Sequence, residues 1–203
     1  MEIADAVALT TGTQAVRATA GAALGQPGGL FGGAEERFDA LLTFDDDASL
    51  PGALCTPGSR YRAVVAVGPD RRGSEPRKLC LKVPDAYGPG RDQDFLLASS
   101  GDGAPWHHAV LPSAPVAALY SSLWLYLVGW EPMLFGMRPR ITGRDLRFGV
   151  GDELSFLVSP PVGRFRRIAT LKLTGVADRP VRFSGANTGG GIRALPPVLF
   201  FNA

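Results

Sequence analysis

Six short segments of this chain read as strands, five of them with apolar and polar residues alternating at a period of two, and clusters of Gly, Pro and Asp separate them. That period belongs to a strand with one face toward a core and the other toward water. In 37–45, Phe38, Ala40, Leu42 and Phe44 alternate with Arg37, Asp39, Thr43 and Asp45, and Leu41 alone breaks the rule. Residues 60–67 put Tyr61, Ala63, Val65 and Val67 on one face. Residues 78–83 set Leu79, Leu81 and Val83 against Lys78, Cys80 and Lys82. Residues 93–100 are apolar on both faces, which predicts a more buried strand. Residues 153–159 repeat the pattern with Leu154, Phe156 and Val158, and 168–174 with Ala169, Leu171 and Leu173. Short strands in series, joined by turns, predict an antiparallel barrel or sandwich.

One segment departs from this period. In 116–130, Val116, Leu119, Tyr120, Leu123, Leu127 and Trp130 fall at helical spacing, with Pro115 before them and Pro132 after. The pattern predicts a buried or interface helix inside a helical insert, 112–139. The run is too short for a membrane span, which needs about 20 apolar residues. Residues 1–33 are rich in small residues and read as an irregular N-terminal arm. No repeat or long linker divides the chain, so 1–203 is expected to be a single domain.

Composition narrows the functions. The 203 residues carry a net charge of +2, with both signs interspersed, which leaves no electrostatic footprint for nucleic acid. Three lysines (Lys78, Lys82 and Lys172) stand against eighteen arginines, which points to a GC-rich bacterial genome rather than to a function. The acidic start Met1-Glu2-Ile3-Ala4-Asp5 lacks the basic opening of a signal peptide, and two cysteines make no disulfide framework. A cytoplasmic protein with Cys55 and Cys80 reduced is the expectation, and no membrane partner.

Few motifs carry chemistry. His107 and His108 are the only histidines, and neighbours point in different directions, so no metal site is expected. Asp45-Asp46-Asp47 reads as a solvated turn without a calcium loop after it. Asn187-Thr188-Gly189-Gly190-Gly191 reads as a turn, since no phosphate-loop lysine follows it. There is no Gly-x-Ser-x-Gly elbow. Cys80, on the lysine face of its strand, is expected to be partly exposed with its pKa lowered by those cations.

In order along the chain, several segments resemble the catalase-like superfamily, especially its small members. These are Ala15–Gly25, Tyr61–Asp70, Asp70-Arg71-Arg72-Gly73 followed by Leu79–Pro84, Gln93–Leu97, Ser121–Pro139 and Asn187–Gly191. The resemblance implies an eight-stranded antiparallel β-barrel, mainly β with a few helices outside. It also implies haem, whose ligands this chain lacks. Arg17 stands where the family has its distal histidine, Ala98-Ser99-Ser100 where an asparagine is expected, and Ala66 where an arginine meets a propionate. No tyrosine follows Tyr126 to serve as the proximal ligand.

Three functions follow. The first is a cofactor-free barrel that binds a small, mostly apolar molecule, as a cyclase- or isomerase-type enzyme of secondary metabolism would. Its candidate residues are Arg17 as an anchor, Tyr61, Tyr120 and Ser100 as hydrogen-bonding groups, and His107, with Trp106, Trp124 and Phe156 as an aromatic wall. Ordinary core packing is the competing account of each. The second is a haem-dependent oxidoreductase ligated through Tyr120, Tyr126, His107 or Cys55. The third is a non-catalytic interaction module, a homodimer through the helix 116–130.

Overall fold

The structure is a computed structural model, and it describes residues 16–24, 30–33, 35–48, 50–52, 54–69, 76–112, 119–140 and 147–203. The strands are β1 (Glu36–Phe44), β2 (Arg60–Val67), β3 (Lys78–Val83), β4 (Gln93–Ser100), β5 (Leu119–Ser121), β6 (Tyr126–Val128), β7 (Glu131–Pro139), β8 (Glu153–Ser159), β9 (Arg166–Val176) and β10 (Ile192–Ala194). All pair antiparallel, in the order β10-β6-β7-β5-β4-β3-β2-β1-β9-β8. A further β7–β8 pairing, from Leu134↔Ser159 to Pro139↔Leu154, joins the ends. The result is a closed antiparallel barrel of eight strands, with β6 and β10 added as a flap on the first half of β7. Closure removes the exposed edges that an open sheet would present.

The register shows why the sequence pattern predicts six of these strands. Phe38↔Val65, Ala40↔Ala63 and Leu42↔Tyr61 put the apolar sets of β1 and β2 on one face. Leu81↔Phe95, Ser99↔Tyr120, Tyr120↔Met137, Met137↔Phe156 and Leu42↔Leu171 carry that face around the barrel. It is the lumen, and side chains fill it. Phe95 lies 4.6, 5.2 and 5.7 Å, between ring centroids, from Phe135, Phe156 and Tyr126, and Phe135 stacks on Phe156. Leu41, out of step in the sequence, falls on the outer face opposite Arg62 and Lys172, where it is part-exposed.

Two expectations are corrected. Over the described part of 116–130, residues 119–130, the chain is not a helix; it forms β5, a turn, β6 and the Gly129–Trp130 hairpin tip. Ser121 Oγ accepts the Leu123 N–H, and Ser122 Oγ donates to Trp124 O and accepts from Phe135 N–H. These local bonds compete with helical ones. Leu123 takes φ +61° and Gly129 φ +64°, so the backbone turns where a helix would run on. A homodimer through a helix 116–130 loses its helix, and Leu123 lies buried. Residues 113–118, with the expected start of that helix, lie outside the described residues, as do 1–15 and 25–29 of the arm. Within the arm, residues 16–23 are helical.

The second correction is the lysine face of β3, which is buried. Lys78 Nζ donates to Phe31 O at 2.7 Å and pairs with Glu35 at 2.8 Å, and the Phe31 ring packs against Phe201. Segments before β1 and after β10 therefore cover the outer face. Cys80 is fully buried, and burial pushes its thiol up rather than down. Burial likewise pushes Cys55 up to about 12. The turns at 45–47 and 187–191 form as expected: Asp45 pairs with Arg167, and Asp46 and Asp47 are exposed. Among the described residues, no helix is long and apolar enough to cross a membrane.

A smaller cluster of Leu119, Leu134, Leu157 and Phe165 sits outside the barrel on β5, β7 and β8. Gly136 lets it close, because a Cβ there would stand 2.8 Å from a Phe165 ring carbon and 3.0 Å from Tyr120 O. Gly136→Ala is expected to cost about 1–3 kcal/mol in urea unfolding. Gly175→Ala, whose Cβ meets nothing within 4 Å, is the near-neutral control.

Candidate functional site

The expected site residues separate into three places. Tyr61 and Phe156 belong to the lumen, where Phe44 contacts both edge-on, at 6.1 and 6.3 Å. Arg17 is exposed on the helix over 16–23. That helix abuts the barrel through Thr19 Oγ1, which accepts the Val110 N–H at 2.9 Å. Ser100, Trp106, His107 and Trp124 gather at one corner, where β4 runs into the 3-10 turn Trp106–His108 and meets the turn between β5 and β6. Tyr120, on β5, faces the lumen beside this corner.

The corner is built locally. Gly101 follows β4 with the Trp106 Cβ 2.7 Å from where its own Cβ would stand, so no larger residue fits there. The His107 N–H donates to Gly103 O and the His108 N–H to Pro105 O, closing the turn. The two imidazoles lie 4.3 Å apart, edge to face. His108 Nδ1 lies 2.8 Å from Leu123 O, and its ring meets Trp124 at 5.5 Å. His107 Nε2 lies 3.0 Å from Pro161 O, and its ring is 6.1 Å from Phe165. Ser100 pairs directly across from Leu119, so both His107 and Ser100 border the outer cluster.

Two atoms there have no hydrogen-bond partner among the described residues: His107 Nδ1 and Ser100 Oγ. His107 is fully buried and Ser100 is 6% exposed. Such an atom costs about 1–3 kcal/mol unless something meets it. Asp102 stands near, tied by Arg138 at 3.0 Å and by the Phe165 N–H at 3.0 Å. Burial and then the neighbouring His108 hold His107 below the ordinary histidine range, so the ring is neutral.

That shift has a sign. Unfolded histidine titrates near ~6.5. Between there and the lower folded value the unfolded chain takes up a proton that the fold does not, so stability falls as pH drops through that window and is unaffected above it. Urea midpoints at about pH 8 and about pH 5 should differ more in the wild type than in His107→Gln. Equal differences would show that His107 does not titrate this way.

Sequence reasoning passed over the most strongly tied buried charge, Asp94 on the outer face of β4. Lys82 Nζ lies 2.8 Å from its Oδ1 and 2.9 Å from its Oδ2, and the Ser184 N–H and Asn187 Nδ2 donate to Oδ2 at 2.9 and 2.8 Å. Burial outweighs these partners and moves its carboxyl up. Lys82 also holds Asp92 at 3.0 Å, and this bond brings Asp92 below the usual range in spite of desolvation. The network ties β3 and β4 to the segment after β9, and Tyr87, which donates to Gln93 Oε1, packs on Gly189 and Gly190 beside it.

The residues present do not fit a haem. The lumen rings stand in mutual contact, which leaves no slot for a macrocycle between them. The buried cations among the described residues are engaged: Arg77 with Gly68 O, Lys78 with Glu35, and Lys82 with Asp92 and Asp94. Propionates would enter without a counter-charge, which is costly. His107 has its Nε2 committed to Pro161, and Tyr126 is walled in by Phe95 and Phe135.

Solved structures of catalases share this barrel. A fungal catalase matches with a TM-score of 0.59 at 12% identity, over 81% of this chain and 55% of that one. Catalase A from Saccharomyces cerevisiae matches with 0.58 at 10%, over 81% and 57%. A bacterial catalase matches with 0.55 at 8%, over 82% and 53%. This chain thus spans little more than half the length of those proteins, and its fold is catalase-like. No protein-family model matches the sequence, and no curated protein matches it.

Proposed function

We propose that this catalase-fold barrel works without haem and binds a small, mostly apolar molecule at the corner of Ser100, His107 and Trp124. One observation carries the reading: two buried polar atoms, His107 Nδ1 and Ser100 Oγ, are unpartnered beside one apolar cluster. Ligand sites are largely apolar surfaces with a few placed polar groups. Trp106, 57% exposed on the turn above, marks the solvent side. A neutral imidazole and a hydroxyl are also the groups a cofactor-free isomerase or cyclase would use to move a proton or orient a flexible substrate.

Mass spectrometry of what co-purifies, with an absorbance spectrum after adding excess haem and desalting, tests both halves. The expected result is a small molecule released by the wild type, much reduced in Ser100→Val, and no retained Soret band. A retained band would overturn the haem-free half. An equal load in Ser100→Val and His107→Gln would overturn the site.

A further inference from the structure

We propose that a cleft on the outer face of β1, β2 and β9 binds a small zwitterion, an α-amino acid with an aliphatic side chain. The cleft is separate from the corner above, and neither reading depends on the other.

The cleft has a volume of about 540 Å³, within the range of small-molecule sites, and Asp39, Leu41, Arg62, Thr174, Asp178 and Arg179 line it. A bulge in β9 shapes it. Asp39 faces Gly175 and Ala40 faces Leu173, so Thr174 is the extra residue with no partner on β1. Bulges re-aim side chains and recur beside active sites. Next to it, a Cβ on Gly175 would meet nothing within 4 Å, so the backbone there is open to an approaching molecule.

Charge decides the class of ligand. Arg62 and Asp178 are exposed and share the cleft, yet among the described residues neither makes an ion pair or a side-chain hydrogen bond. Arg179 reaches Asp39 only at 3.4 Å with both side chains well exposed, a weak pairing that a ligand can displace. Two guanidinium groups and two carboxylates thus line the cleft in balance. An anion would meet the aspartates with like charge, and a cation the arginines. A zwitterion meets both: its carboxylate takes the guanidinium fork of Arg62, and its ammonium donates to Asp178.

Leu41 supplies the aliphatic preference. It is the one residue of β1 out of step with the alternation, and it sets an apolar side chain on a face that otherwise carries Asp39, Thr43, Arg62 and Lys172. Pro84 and Ala177 line the same cleft.

The test titrates the full wild-type chain with L-leucine, N-acetyl-leucine, leucinamide and glycine, read on the amide resonances of Thr174 and Gly175. Leucine is expected to shift both along a saturable curve. The acetylated compound lacks the ammonium, the amide lacks the carboxylate and glycine lacks the side chain, so each should bind at least about tenfold more weakly. Arg62→Gln and Asp178→Asn should each weaken leucine by a similar factor, with unchanged urea midpoints because both residues are exposed and unpaired. If N-acetyl-leucine or leucinamide matches leucine, the cleft reads one charge and the zwitterion is overturned. If glycine matches it, the aliphatic preference is overturned. If none shifts those resonances, the cleft holds solvated charges only and the proposal falls.

Discussion

Asp94→Ala is expected to remove about 3 kcal/mol of stability, seen as a lower urea midpoint with an unchanged slope. Asp94 is fully buried on β4, and its carboxylate meets an ammonium, a backbone N–H and a side-chain amide. Truncation leaves Lys82, itself only 8% exposed, with Asp92 as its one remaining carboxylate. The Ser184 N–H and Asn187 amide lose their acceptor at the same time. Removing one partner of a buried pair is worse than removing both, so the double variant Asp94→Leu with Lys82→Met should recover most of the loss. Full loss in the double variant would mean that the ties to Ser184 and Asn187, not the ion pair, dominate. Asn187→Ala, which deletes one donor, should cost about 1 kcal/mol.

That network also shows where sequence and structure part. Strands β1 to β3, β8 and β9 are legible because their lumen faces are continuous and polar residues recur on their outer faces, and β4 because it is a short run apolar on both faces. The outer face of β3 misleads for a physical reason. Lys78, Cys80 and Lys82 alternate like a solvent face, but Lys78 meets Phe31, whose ring packs on Phe201 170 positions away in sequence, and Lys82 lies over the ring of Phe183. No local pattern records such a contact. The available signal was Asp94 itself, a carboxylate inside a strand that reads as apolar on both faces. The error at 119–130 is of another kind. Its apolar spacing fits a helix, yet two serines bond to their own neighbourhood and β7 supplies strand partners on either side of the turn. At the corner, Ser100, Trp106, His107 and Trp124 could each be named from the sequence, but their meeting depends on the cross-strand step from β4 to β5. Arg17 could be named too, and its helix leaves it exposed.

Phe95→Ala should be among the most damaging lumen substitutions, at about 4 kcal/mol, against about 3 for Phe44→Ala. Phe95 touches three other rings in the lumen and Phe44 touches two. Ring neighbours set the size of the hole, since packed strands in a closed barrel relax little around it. The rings beside the hole would be Phe135, Phe156 and Tyr126, whose hydroxyl has no hydrogen-bond partner among the described residues. A water needs two to four polar partners, and these rings offer it only the Tyr126 hydroxyl, so the cavity should stay dry. Benzene should then raise the unfolding temperature of Phe95→Ala and leave the wild type unchanged. A loss below about 1 kcal/mol in Phe95→Ala would mean that the lumen rings are not in tight contact, and the case against a haem slot would fall with them.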